Sequence, residues 1–111
     1  NLQRVQISKK DLVIQQLQAQ ENASHQVQTA MEQVYESFEI AQARKEAVAQ
    51  ASEGYNRAQI RLDNGLGSTL ELTEALLQVK EAELNYAQTV FSYLTAKANY
   101  DLAVGRVPLV D

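Results

Sequence analysis

The stretch RLDNGLGSTLEL, residues 61–72, interrupts a chain otherwise dominated by Ala, Gln, Glu, Leu and Val, and two of the four glycines, Gly65 and Gly67, fall within it. Asn64 and Gly65 tolerate the left-handed backbone that ends helices, and Gly67 adds a second such freedom directly afterwards. Ser68-Thr69-Leu70-Glu71 then has the form of a capping box: the serine hydroxyl accepts from the amide three residues on, while the glutamate reaches back. The stretch predicts a turn over 64–67 between two helices, the second starting at Thr69.

Upstream, from Leu2 to Asp63, there is no proline and one glycine, Gly54, and strong helix formers fill most positions. That predicts one helix of about 60 residues, roughly 90 Å at 1.5 Å per residue. An apolar stripe of period seven runs through Val13, Val27, Val34, Ala41, Val48, Tyr55 and Leu62, with Gln20 the one polar interruption, as in a coiled-coil seam. Gln, Asn and Ser crowd residues 15–26, where the helix is expected to be weakest. Downstream, the second helix is expected over about 69–104, with Gly105 as its cap, Pro108 as a stop and 105–111 as a tail.

A connection of about four residues folds the second helix back antiparallel along the first. The expected fold is therefore all-α: a long antiparallel helical hairpin, a coiled coil with unequal arms. Its longer first arm leaves the N-terminal end without a partner in the chain.

The second helix carries two apolar stripes. One is Leu70, Leu77, Leu84, Phe91 and Ala98; the other is Leu72, Val79, Tyr86, Tyr93 and Tyr100, flanked by Ala75, Ala82, Ala96 and Ala103. At about 103° per residue the two stand roughly 150° apart. A two-helix hairpin covers one stripe and leaves the other in water, which marks an assembly surface. A wall of helices, with this hairpin as one stave of an α-helical barrel, covers both. Between the stripes lies a polar face of Glu71, Glu74, Gln78, Glu81 and Asn85 that continues to Asn99; it suits a water-filled interior or the outside equally.

Composition narrows the function classes. The 111 residues are 45% hydrophobic and 22% charged, but with two Phe, five Tyr and no Trp the apolar content suits thin seams better than a thick core. A net charge of -4 without any run of Lys or Arg lacks the footprint of a nucleic-acid binder. The absence of cysteine removes disulfides and thiolate metal sites, and fits a reducing compartment or an envelope protein that needs no staples. No apolar run approaches the roughly 20 residues of a membrane helix, and NLQRVQISKK lacks a signal peptide's apolar core. The chain reads as cytosolic or as an internal piece of a larger protein. No cysteine, no histidine in register with an acid and no phosphate loop supports catalysis, since NGLGST lacks the lysine such a loop needs; neither enzyme activity nor a cofactor is expected.

The turn and the returning helix resemble the TolC-like outer-membrane efflux protein family. The run Gly65, Leu66, Gly67, Ser68, Thr69, Leu70, Glu71, Leu72, Thr73, Glu74, Ala75 follows the family's pattern at its lower helical turn. The segment LLQVKEAELNYAQTVFSYLTAKANYDLAVG is similar to the family's returning helix, with its periodic Ala and Tyr and its terminal Ala-Val-Gly. The likeness covers nearly the whole chain and best suits the C-terminal repeat. It implies a periplasmic tunnel segment of a bacterial outer-membrane channel, built as a homotrimer, met by a periplasmic adaptor and fed by an inner-membrane pump. It further implies that Glu71 and Glu74 line the acidic entrance, and that Asn64, Gly65, Leu66, Gly67 and Ser68 form the adaptor-docking tip. Where a well-studied member has a tyrosine and an arginine tying neighbouring helices at the entrance, this chain has Leu62 and Gly67, so no lock of that kind is expected.

Two other readings share this fold: the coiled-coil hairpin of a periplasmic adaptor, loosely imitated by Arg61, Leu66 and Ser68, and a generic structural coiled coil that closes as a four-helix bundle. Cut from a larger assembly, the hairpin is expected to self-associate through its second stripe. Single residues also have plainer roles. Glu71 suits a helix N-terminus whether or not a pore exists, Glu74 suits any solvated face, and lone exposed leucines such as Leu66 are common. Tyr86, Tyr93 and Tyr100 suit interhelical packing with wet hydroxyls, and His25 lies among polar residues as a solvated imidazole.

Overall fold

The computed structural model describes residues 1–107 and contains two helices among them, α1 over Leu2–Asp63 and α2 over Thr69–Gly105. The protein is an all-α helical hairpin, with 62 residues in one helix and 37 in the other. Helix α1 runs without a break through the Gln-rich residues 15–26, whose straight-chain glutamines are good helix formers. Pro108 lies outside the described residues. Two compact units can be distinguished: Asn1–Val34 with the chain from Ala96 onward, and Tyr35–Thr95.

In the unit Tyr35–Thr95 the seam has a simple grammar. Each helix supplies a column of larger residues and a column of small ones, both at period seven. On α1 the half-buried larger column is Val48, Tyr55 and Leu62 and the small one is Ala51 and Ala58; on α2 the columns are Leu72, Val79, Tyr86, Tyr93 and Ala75, Ala82, Thr89. Small side chains on both helices let the backbones approach, and the larger ones fill the remaining space. Arg44 stands where α1's small column would continue and is exposed. Phe38 and Tyr93 add a tilted ring contact across the seam, with centroids 5.9 Å apart and planes at 57°. The half-buried hydroxyl of Thr89 donates to the Tyr86 carbonyl at 2.7 Å, so it enters the seam satisfied by its own helix.

In the other unit the seam is leaner still. Ala23 and Ala30 on α1 and Ala96 on α2 are buried, with Gln20, Val27, Val34, Ala103 and Tyr100 half-buried around them. Every residue from Asn1 to Ala19 is exposed. Val13, read from its spacing as part of the seam, is 55% exposed, so the heptad pattern becomes a packed seam only from Gln20. The physical reason is length: α2 has too few residues to accompany all of α1, and a stripe without a facing helix remains wet.

Among the described residues only Ala23, Ala30, Val79 and Ala96 are buried, and no large side chain is fully enclosed. A two-helix seam is one side chain deep and cannot do more. The C-terminal end of α2 departs from expectation. Gly105 is the last helical residue and does not adopt positive φ, the only such glycines being Gly65 and Gly67 among the described residues. Instead of a left-handed cap, the last turn tightens: the amides of Arg106 and Val107 donate to the carbonyls of Ala103 and Val104, each at 3.2 Å.

Candidate functional site: the hairpin tip

At the tip, α1 ends in a paired hydrogen-bond pattern. The Leu66 amide donates to the Arg61 carbonyl at 2.7 Å and the Gly65 amide to the Leu62 carbonyl at 3.0 Å. These are the two bonds of a Schellman motif, which requires its penultimate residue in the left-handed region; Gly65 supplies φ +74°. The Asn64 side-chain amide donates to the Ile60 carbonyl at 2.9 Å, adding a second donor to a carbonyl that already accepts from the Asn64 backbone amide at 3.1 Å. Gly67, at φ +76°, then reverses the chain toward α2.

Ser68 begins α2 as its N-cap. Its hydroxyl accepts from the Glu71 amide at 3.2 Å, while its carbonyl accepts the first helical bond, from Leu72, at 3.2 Å. Half of the expected capping box is thus formed. The other half is not: the Glu71 carboxylate turns toward α1, with Oε2 4.0 Å from Nε of Arg61. Both side chains are more than half exposed, so this ion pair is a weak staple that orients the carboxylate more than it stabilises the fold. Oε2 also lies 2.8 Å from where a Cβ on Gly67 would stand, so the carboxylate is folded over the glycine.

The sequence-predicted site residues therefore fall into two groups. Asn64, Gly65, Leu66, Gly67 and Ser68 come together in a closed, hydrogen-bonded turn, with Leu66 projecting at its apex, 58% exposed. Glu71 lies beside them, tied to Arg61, whereas Glu74 stands one turn further along α2, exposed and without an ion pair among the described residues. What the sequence reading missed is the pairing of Arg61 with Glu71. Its signal was available: Arg61 and Glu71 are the third residues from the helix ends on either side of a short turn, a placement that sets their side chains side by side. The tip carries one arginine, Arg61, and three carboxylates, those of Asp63, Glu71 and Glu74. Chemically, the tip offers cation-attracting oxygen around an apolar knob.

The polar face of α2 is exposed from Glu71 to Asn99, apart from half-buried Asn85. On its other side Leu70, Leu77, Leu84 and Phe91 stand 66%, 63%, 60% and 71% exposed, an apolar ridge that the hairpin leaves uncovered. His25, also exposed, borders a shallow groove of about 470 Å³ lined by Gln26, Ala30, Asn99, Leu102 and Arg106 among others. No helix among the described residues is long and apolar enough to cross a membrane. The chain matches no family model, no curated protein and no solved structure.

Proposed function

We propose that this hairpin is a wall segment of a periplasmic export tunnel belonging to a bacterial outer-membrane efflux channel, with Glu71 and Glu74 at a narrow acidic mouth and residues 64–68 as the tip that meets a periplasmic adaptor. The channel is a homotrimer, and the driving energy comes from a pump in the inner membrane. The hairpin's work is passive: it supplies wall, mouth and docking knob, and no covalent chemistry.

The observation that carries this reading is the division of α2 into a covered column and a bare apolar ridge on nearly opposite sides, with an exposed acidic face between them. A helix of this kind is suited to standing between neighbours in a wall while one polar face meets water. The likeness of residues 65–75 to the TolC-like turn supplies the identity of the wall. The test is ion selectivity of the intact channel containing this hairpin, reconstituted in a planar bilayer. Replacing Glu71 and Glu74 by Gln lowers its preference for cations over anions; an unchanged permeability ratio removes both residues from the mouth.

A further inference from the structure

We infer that the bare ridge of α2 receives the N-terminal arm of α1 from a second copy of the chain. Both surfaces are exposed in the single chain, and their chemistry is complementary. At about 100° per residue, Leu2, Lys9, Lys10, Val13 and Leu17 share one side of the arm, and Asp11 lies on the other. Lys9 and Lys10 line a shallow apolar cleft with Val13 and Ile14 through their aliphatic stems, which brings two cationic side chains to the apolar surface itself. Residues 1–20 carry three cations and one acid, in a chain whose net charge is -4.

The ridge has the opposite edge. Glu74 and Glu81 follow Leu70 and Leu77 by four residues, one helical turn, and therefore border the ridge along one side. Neither has an ion pair among the described residues, and neither do Lys9 and Lys10. The charges nearby are already engaged: Lys80 with Glu83 at 3.6 Å and Arg61 with Glu71. Lengths agree as well. Leu2 to Leu17 spans roughly 22 Å of helix, and Leu70 to Phe91 roughly 32 Å, so the ridge accommodates the whole arm. An amphipathic helix laid along an apolar strip with paired charges at its rim is a common mode of helix recognition. This contact requires nothing of the channel reading, and it specifies which surfaces meet when the chain self-associates.

The experiment uses the full chain and two charge-reversed forms, one with Lys9→Glu and Lys10→Glu, the other with Glu74→Lys and Glu81→Lys. All four positions are exposed, and circular dichroism verifies that both forms remain helical. Sedimentation then gives the association state at low and high salt. The unaltered chain is expected to associate, more strongly at low salt. Each altered form alone is expected to lose at least tenfold in association constant, because arm and ridge then carry like charges. Mixing the two forms restores association, since the acidic arm of one meets the basic ridge of the other and the reverse. An unaltered chain that stays monomeric overturns the inference. So does an arm-reversed form that associates as before, which assigns assembly to a ridge-to-ridge contact, or a ridge-reversed form that does so, which assigns it to an arm-to-arm contact. A mixture that fails to recover also overturns it.

Discussion

Replacing each of three glycines by alanine sends the same methyl group into three different surroundings, and the tip geometry fixes the sign and order of the outcomes. At Gly65, φ is +74° and nothing lies within 4 Å of the added carbon, so the cost is that of the left-handed backbone alone, about 1–2 kcal/mol. At Gly67, φ is +76° and the new carbon meets Oε2 of Glu71 at 2.8 Å. The carboxylate sits at the end of a flexible side chain and can swing away, but doing so gives up its position beside Arg61, an exposed pair worth at most about 1 kcal/mol. Gly67→Ala therefore costs about 1–3 kcal/mol. At Gly54 the backbone is helical and the nearest atom is Nη2 of Arg57 at 4.0 Å, so alanine relieves the entropy cost of a mid-helix glycine and stabilises by about 0.5–1 kcal/mol. Urea unfolding followed by circular dichroism at one fixed protein concentration measures all three. The expected order of stability is Gly54→Ala above the unaltered chain, then Gly65→Ala, then Gly67→Ala. A silent Gly65→Ala, or a destabilising Gly54→Ala, refutes the account of the tip and of α1 respectively. Gly65→Asn provides an internal check, because asparagine tolerates the left-handed region and retains part of what alanine loses.

Two further outcomes follow from burial and capping. Ser68→Ala removes the hydroxyl that accepts from the Glu71 amide and should destabilise by about 1 kcal/mol in the same unfolding measurement, with Ser68→Asp close to neutral. Val79→Ala truncates the one buried side chain larger than alanine among the described residues and should cost about 2 kcal/mol at any protein concentration, whereas Leu77→Ala, on the bare ridge, should change the stability of the single chain by less than about 0.5 kcal/mol and act only where chains associate.

The elements most legible in the sequence were those governed by local chemistry. Asn64, Gly65, Gly67 and Ser68 announce the turn because each backbone need there has a specific residue type that meets it, and the boundaries at Asp63 and Thr69 follow directly. The covered column of α2, Leu72 to Tyr100, was legible from its period. What periodicity could not convey was where the seam begins. Val13 keeps the register of Val27 and Val34, but burial depends on a facing helix, and that is a property of α2's length. Nor did spacing single out the small column of α1, since alanines occur throughout the helix and only the facing Ala75 and Ala82 give Ala51 and Ala58 their meaning. Gly105 misled because glycine permits a left-handed cap without requiring one. At the tip, all five turn residues were legible, while the direction of Glu71 was not: a carboxylate near a helix start has two donors within reach, the serine amide and the Arg61 guanidinium, and their competition is settled in three dimensions.

The two-column seam of the unit Tyr35–Thr95 has one more consequence. Its teeth recur every seven residues, so sliding α2 along α1 by one repeat, roughly 10 Å, would again set larger residues beside larger ones and small beside small over much of the seam, with the Val-to-Tyr differences in size and Arg44 as the misfits. Such a zipper discriminates its alignment only through those differences in size. The choice belongs to the short loop at Gly65 and Gly67, which is too taut to permit the slip, so the tip acts as the vernier stop of the whole rack. Lengthening that loop by a whole repeat should leave the helices as helical as before while freeing them to sit in more than one alignment.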